Sequence, residues 1–185
     1  MKPVAVLGLG VIALTAGAFI TASAAAGRGM TGLSEGGSYF EAEVRGAVRA
    51  RPAGEVAFGV VGDSSIGLAA FTITLDAEGS SGAILFTSLD GRTPAPGRYE
   101  LTDGGDRGFR ASYVAGSAER PSGLFRARHG VLEITAASAE QISGQFSFSA
   151  AGFLASNPSE EDARVTVSGA FTSARSPATV RPTQP

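Results

Sequence analysis

The only histidine of this 185-residue sequence, His129, is the first residue to consider for chemistry. An imidazole can act as a general base beside a serine and an acid. The triplet Gly62-Asp63-Ser64 matches the residues around the nucleophile of some hydrolases, so a secreted hydrolase using His129, Ser64 and Asp63 is one hypothesis. A Gly-Asp-Ser-Ser segment between two apolar runs is also typical of a turn. We therefore expect residues 62–65 to form a turn, His129 to begin a strand, and no residue to be catalytic.

Acidic residues gather in two predicted loops, at 103–106 (Asp-Gly-Gly-Asp) and 160–162 (Glu-Glu-Asp). Calcium takes about six to eight oxygen ligands, but neither segment has the spacing of a known calcium loop. Solvated turns are the simpler interpretation, and a single calcium ion between strands stays an open alternative. The sequence has no cysteine and one histidine, which excludes thiolate and multi-histidine metal centres. We predict no metal-binding and no cofactor-binding residues.

Arginines concentrate in one part of the sequence, at Arg107, Arg110, Arg120, Arg126 and Arg128. Arg126 and Arg128 share one face of a strand at a period of two, and Arg110 joins them if its strand is a neighbour. Such a patch can hold a carboxylate or a phosphate through bidentate hydrogen bonds. The simpler interpretation is an outer face of ion pairs. The acids available for these pairs are Asp103, Asp106, Glu119 and Glu133.

The overall charge of the chain is close to neutral, with 15 basic residues, 17 acidic residues and a formal net charge of -2. Binding to a nucleic-acid backbone or to an anionic membrane surface relies on an excess of basic residues. We therefore predict neither nucleic acid nor a membrane surface as a partner.

Residues 1–26 have the order of a secretory signal peptide. Lys2 supplies positive charge, an apolar run covers residues 4–20, and small residues follow over 21–26. Cleavage after Ala26 is favoured, and cleavage after Ala24 fits nearly as well. The alternative is an uncleaved anchor, because about 17 apolar residues are at the lower limit for crossing a bilayer. We expect cleavage, and thus an exported bacterial protein of the periplasm or the cell exterior without a membrane span.

Beyond residue 37 the apolar residues recur at a period of two, which predicts strands and not helices. The clearest strand covers residues 140–151, where Ile142, Phe146 and Phe148 share a face, and another covers 165–172. Further strands are predicted at 39–50, 55–61, 66–76, 83–89, 98–102, 108–115, 124–128 and 129–136. About nine or ten short strands separated by turn sequences favour an antiparallel β-sandwich, with a closed β-barrel as the alternative.

The domain organisation follows from composition. We predict a signal peptide at 1–26, a flexible glycine-rich segment at 27–37, a β-sandwich domain at 38–174 and a disordered tail at 175–185 that carries three prolines.

Three segments follow one another in the second half of the chain: Gly-Val-Leu-Glu-Ile-Thr at 130–135, Ile-Ser-Gly-Gln-Phe-Ser-Phe-Ser-Ala at 142–150, and Val-Thr-Val-Ser-Gly-Ala-Phe at 165–171. With the Pro-Gly-Arg-Tyr-Glu-Leu segment at 96–101, this order resembles a group of exported bacterial β-sandwich domains of uncharacterised function, over about residues 96–172. The resemblance implies a sandwich fold and brings no catalytic residues. Many members of that group are lipid-anchored through an N-terminal cysteine, which this sequence lacks.

The function that these observations favour is a non-catalytic binding or structural module, with an envelope protein or a glycan as the partner. A glycan-binding module is a separate alternative, because sugars stack on exposed aromatic rings. Without tryptophan, the rings available for such a surface are Tyr39, Tyr99 and Tyr113, which would then have to be exposed on a concave face.

Overall fold

Nine β-strands make up most of the chain that the computed structural model describes, which is residues 37–63, 68–79, 82–103, 108–117, 120–157 and 163–174. The strands are β1 Tyr39–Gly46, β2 Ala53–Asp63, β3 Leu68–Ala77, β4 Ala83–Ser88, β5 Gly97–Thr102, β6 Arg110–Gly116, β7 Pro121–Ala137, β8 Gln141–Leu154 and β9 Ala163–Ala174. These ranges contain no helix, so the prediction of an all-β protein is confirmed there. A helix long and apolar enough to cross a membrane is likewise not found in them.

Eight of the strands close into a barrel. Hydrogen-bonded neighbours follow the order β7-β6-β4-β3-β2-β1-β9-β8, and β8 pairs with β7 to complete the ring. The prediction of a β-sandwich is wrong, and the alternative of a closed barrel is confirmed. Both folds bury one face of each strand, so the alternation of apolar and polar residues cannot separate them. What decides the fold is that the first strand pairs with the last along its whole length, from Tyr39 opposite Thr172 to Gly46 opposite Val165.

Strand β7 is the longest strand and has three neighbours. One edge pairs with β8, while the other edge pairs with β6 in its first half and with β5 in its second half. The pairing with β8 shifts register between Ala127 and His129, which leaves Arg128 as an extra residue in a β-bulge. The sequence predicts two strands here because the bulge reverses the alternation: Ala127 and Leu132 are both buried although they are an odd number of residues apart.

Aromatic rings fill the interior of the barrel. The Phe86 ring is fully buried, and its centre lies 5.1 Å from that of Phe146, 6.2 Å from that of Phe148 and 6.5 Å from that of Phe171. Other buried side chains on all of the strands surround this group. The interior of an eight-stranded barrel is just wide enough to be filled by side chains or to hold one small ligand. In the described part of this barrel, side chains fill it.

The remaining strand predictions differ from the structure mainly at their ends. The strand predicted at 140–151 is β8, and Ile142, Phe146 and Phe148 are buried as expected. The strand predicted at 39–50 is too long, because β1 ends at Gly46. All nine strands lie within the predicted domain at 38–174. The predicted signal peptide, nearly all of the segment at 27–37 and the tail at 175–185 lie outside the described residues.

Candidate functional site

One row of polar side chains crosses four neighbouring strands on the outer wall of the barrel. Arg45 of β1 pairs with Thr166 of β9, Thr166 pairs with Ser149 of β8, and Ser149 pairs with His129 of β7. Directly paired residues in antiparallel strands point to the same side of the sheet, with their Cβ atoms about 5 Å apart. The next residue along β9, Val167, is fully buried, so this row faces away from the core.

Around this row the wall forms an open cleft of about 530 Å³, here called the cationic cleft. The side chains that define it are Arg45, Arg128, His129, Ser149, Arg164 and Thr166. All of its ionisable side chains in the described ranges are basic. The short side chains of Ser149, Ala151 and Thr166 leave space between the longer arginines on the strands at either side. The cleft therefore combines guanidinium groups with hydroxyl groups, which are donors for the oxygens of a carboxylate or a phosphate.

The bulge in β7 determines which side chains reach the cleft from that strand. In a regular strand, neighbouring residues point to opposite faces. Because Arg128 is the extra residue of the bulge, Arg128 and His129 are both exposed although they are consecutive. The bulge thus adds a guanidinium beside the imidazole without placing either group in the core.

Two of the three arginines in the cationic cleft have a carboxylate partner. The guanidinium of Arg45 lies 2.7 Å from the carboxylate of Glu43, and Arg128 contacts Asp103. Both pairs are exposed to solvent, where an ion pair contributes about 0–1 kcal/mol, so an incoming anion can compete for these arginines. Arg164 forms no ion pair with any residue that the structure describes.

Gly46 closes the end of the cleft at which β1 stops. Its φ of 124° lies in the region that side-chain-bearing residues rarely adopt. A Cβ at this position would lie 2.4 Å from the carbonyl oxygen of Arg164, which is far inside contact distance. Glycine therefore lets β1 turn away directly against β9, and it keeps Arg45 and Arg164 on adjoining parts of the wall.

A second, smaller cleft of about 260 Å³ lies next to the cationic cleft. Its polar side chains are Thr87, Thr102, Asp103, Arg110, Ser112 and Arg126. Ser112 of β6 pairs directly with Arg126 of β7, and Arg110 lies two residues from Ser112 on the same face of β6. The sequence-based prediction places Arg110 near both Arg126 and Arg128 when their strands are neighbours. Arg110 lines this cleft together with Arg126, whereas Arg128 lines the cationic cleft.

Two of the predicted hydrolase residues, Asp63 and His129, lie on strands that are not neighbours in the barrel. Asp63 ends β2, which shares no ladder with β7, and Ser64 lies outside the described residues. Residues 32–36 are Gly-Leu-Ser-Glu-Gly, which matches the Gly-x-Ser-x-Gly pattern around the nucleophile of some hydrolases. These residues also lie outside the described part of the chain. His129 lies in the middle of the merged strand β7 and not at a strand start, and its direct partner is Ser149.

The predicted acidic loops fall largely outside the described residues, since 104–107 and 158–162 are not described. Asp103 is described and contacts Arg128. No group of acidic or histidine side chains in the described ranges has an arrangement that could hold a metal ion. The alternative of a calcium ion at these loops stays a prediction, on residues that lie mostly outside the described ranges.

The expected arginine ion pairs form only in part. Asp103 pairs with Arg128 as expected, whereas Glu133 accepts a hydrogen bond of 2.8 Å from Gln145. Arg120 lies in the turn before β7, outside both clefts as described. Arg107, Asp106 and Glu119 lie outside the described residues.

Sequence reasoning missed Arg45 and Arg164 as members of a site. Both alternate with buried valines on β1 and β9, so their outward direction is readable from the sequence. Their proximity to the arginines of β7 depends on ring closure between the first and last strands, for which a single sequence gives no signal.

The three tyrosines do not share one exposed surface. Tyr113 is fully buried, Tyr99 is partly buried and donates a hydrogen bond of 2.6 Å to the carbonyl of Ala95, and Tyr39 is 40% exposed. Burial raises the pKa of the Tyr113 phenol above its ordinary value of 10.0. Tyr39 lies at the end of β1 away from Arg45, so no aromatic platform adjoins the cationic cleft in the described ranges.

Comparison of the chain with protein-family models, with curated proteins and with solved structures gave no match.

Proposed function

We propose that this protein is an exported, non-catalytic binding protein of bacteria whose cationic cleft holds an anionic group, either a carboxylate or a phosphate. The observation that carries the proposal is the cross-strand row in which Arg45, Thr166, Ser149 and His129 stand side by side. Arg164 adds a guanidinium that no described carboxylate neutralises. An anion in this cleft would accept charge-assisted hydrogen bonds from several strands at once.

The wall of the barrel is a better candidate than its interior for binding. Phe86 and the rings around it occupy the centre of the barrel, and none of the described buried side-chain nitrogen or oxygen atoms lacks a hydrogen-bond partner. A ligand pocket usually presents a few polar groups that point into an open space. Such groups occur here on the outer wall, where the polar side chains converge.

The proposed location outside the cytoplasm is supported by the order of charge, apolar run and small residues over 1–26. The described barrel buries most of its large apolar residues inside and presents charged residues such as Glu41, Glu55 and Arg126 outside. Barrels that span the outer membrane have the opposite arrangement, with an apolar outer band. Both features are consistent with a barrel wall that meets water in the periplasm or beyond the cell.

Calorimetric titration with inorganic phosphate and with galacturonate, at low salt, tests the proposal. We expect weak binding that Arg164→Gln lowers about tenfold, because a charge-assisted hydrogen bond contributes about 1.5–3 kcal/mol in favourable geometry. Arg92→Gln is the matched control, since Arg92 is an exposed arginine on the loop between β4 and β5, away from the cleft. The proposal fails if neither anion binds, or if the two variants lose affinity equally.

A further inference from the structure

The cationic cleft and the second cleft share a boundary. Two pairs of directly opposed residues join the clefts. Ala151 of the cationic cleft pairs with Arg126 of the second cleft. His129 of the cationic cleft pairs with Thr102 of the second cleft. No strand separates the two clefts, because both use β7 as a wall. The two clefts are therefore continuous along the surface, and one extended ligand can occupy both.

The arginines of the two clefts are ordered along the wall by strand pairing. Arg126 of β7 pairs with Ala151 of β8, which pairs with Arg164 of β9. Neighbouring strands are about 4.8 Å apart, so the backbones at Arg126 and Arg164 are about 10 Å apart. Arg110 continues the series on β6. The arginines thus present positive charge at successive positions along the wall, over a length that fits several anionic groups on one chain.

Resting on the proposed function, we infer that the two clefts are successive subsites for one extended polysaccharide whose sugars carry carboxylates. The planar guanidinium matches a carboxylate through two parallel hydrogen bonds. Between the arginines lie hydroxyl-bearing side chains, namely Ser112, Ser149 and Thr166, which can hydrogen-bond the hydroxyls of sugars.

A single-stranded nucleic acid fits this surface less well. Proteins that bind it without sequence preference combine a basic groove with aromatic side chains on which the bases stack. In the described ranges, the lining of the two clefts contains no phenylalanine or tyrosine side chain, so the proposed polysaccharide is held through its carboxylates and hydroxyls and not through ring stacking. The imidazole of His129 is the one ring that they offer there.

Asp103 lies at the boundary between the two clefts and contacts Arg128. Its carboxylate repels an anionic chain that crosses the boundary, and it occupies a guanidinium that the chain could use. Asp103→Asn is therefore expected to raise the affinity for the polysaccharide about two- to fivefold at low salt, where screening is weak.

The test compares galacturonate with its linear hexamer on the full chain, by calorimetry at low salt. Linking several binding groups raises the effective concentration at the second subsite, so we expect the hexamer to bind at least about tenfold more tightly than the monomer. Arg110→Gln combined with Arg126→Gln should lower the ratio of hexamer to monomer affinity towards one. Both arginines are exposed, and an NMR spectrum of each variant confirms its fold.

The controls separate this inference from the proposed function. If galacturonate binds through Arg164 but the hexamer gains no affinity, or if the double variant keeps the gain, the inference is overturned and the proposed function stands. If galacturonate and phosphate both fail to bind, the proposed function itself is lost. A neutral glucose hexamer must not bind. Equal or tighter binding of single-stranded DNA, or of vesicles containing anionic lipid, overturns the assignment to a carboxylated polysaccharide.

Discussion

Arg128 illustrates how much the chemistry of a surface can depend on one backbone irregularity. As the extra residue of the bulge in β7, it is exposed together with His129, and it contacts Asp103 at the boundary of the two clefts. The sequence correctly groups Arg128 with Arg126 and names Asp103 among its partners. It does not predict the bulge, because an exposed arginine followed by an exposed histidine also fits the end of one strand and the start of the next.

Tyr113 is the residue whose ionisation should affect stability. Burial raises the pKa of its phenol above 10.0, because the folded core disfavours the charged form. The stabilisation that comes from keeping the Tyr113 phenol neutral is thus complete below pH 10, and it is lost as the pH rises through the pKa of the folded state. In Tyr113→Phe, the decline of the unfolding free energy above about pH 10 should be shallower, as measured by urea denaturation between pH 8 and 11. Equal slopes in both proteins would contradict this.

Glu55 and Asp76 form an unfavourable pair on the outer wall. They lie directly opposite each other on β2 and β3, and both are exposed. Like charges in this arrangement repel, so Asp76→Asn should raise the unfolding free energy by about 0.2–1 kcal/mol at low salt. The gain should shrink at high salt, where the charges are screened.

Glu140→Gln provides the matched control for this pair, because Glu140 is an exposed acid in the turn before β8. Its unfolding free energy should change little. A loss of stability in Asp76→Asn at low salt, or a gain that persists unchanged at high salt, would count against repulsion as the cause.

At the scale of elements, the end of β1 is a point where backbone geometry and the cationic cleft meet. Gly46→Ala places a Cβ on a backbone with a φ of 124° and against the carbonyl of Arg164. Strain of this kind costs about 1–3 kcal/mol, which chemical denaturation would show. Phosphate binding should weaken with it, because β1 and β9 must separate to admit the methyl group. A variant with unchanged stability would show that this close approach is not required.

The positions of the strands were largely predictable from the sequence. Which strands pair with each other was not predictable. The period of two around Phe146 and Phe148 shows which face of β8 is buried, whether the sheet forms a sandwich or a barrel. The pairing of β1 with β9 depends on the accumulated twist and tilt of all the strands between them. The cationic cleft could not be predicted from the sequence for the same reason, since its arginines come from β1, β7 and β9.

At the scale of the whole molecule, we expect the aromatic group at the centre to be the main source of stability of the barrel. Phe86 contacts three other rings and is fully buried, so Phe86→Ala should lower the unfolding free energy by about 3–5 kcal/mol. The total unfolding free energy of a domain is only about 5–15 kcal/mol, so thermal or urea denaturation should detect this loss clearly.

Phe153→Ala is the control for the central group, because Phe153 is 40% exposed near the end of β8. It should cost much less than Phe86→Ala. Similar losses in the two variants would mean that the rings around Phe86 are not the main source of stability.

The central claim is that an anion binds on the outer wall of the barrel at the cationic cleft. Its most direct measurement is an NMR titration of the isotope-labelled full chain with inorganic phosphate at low salt. The account predicts that the largest shifts fall on the backbone amides of His129, Ser149, Arg164 and Thr166 and on the His129 ring. Shifts spread evenly over exposed arginines such as Arg92 and Arg98, or none at all, would contradict it.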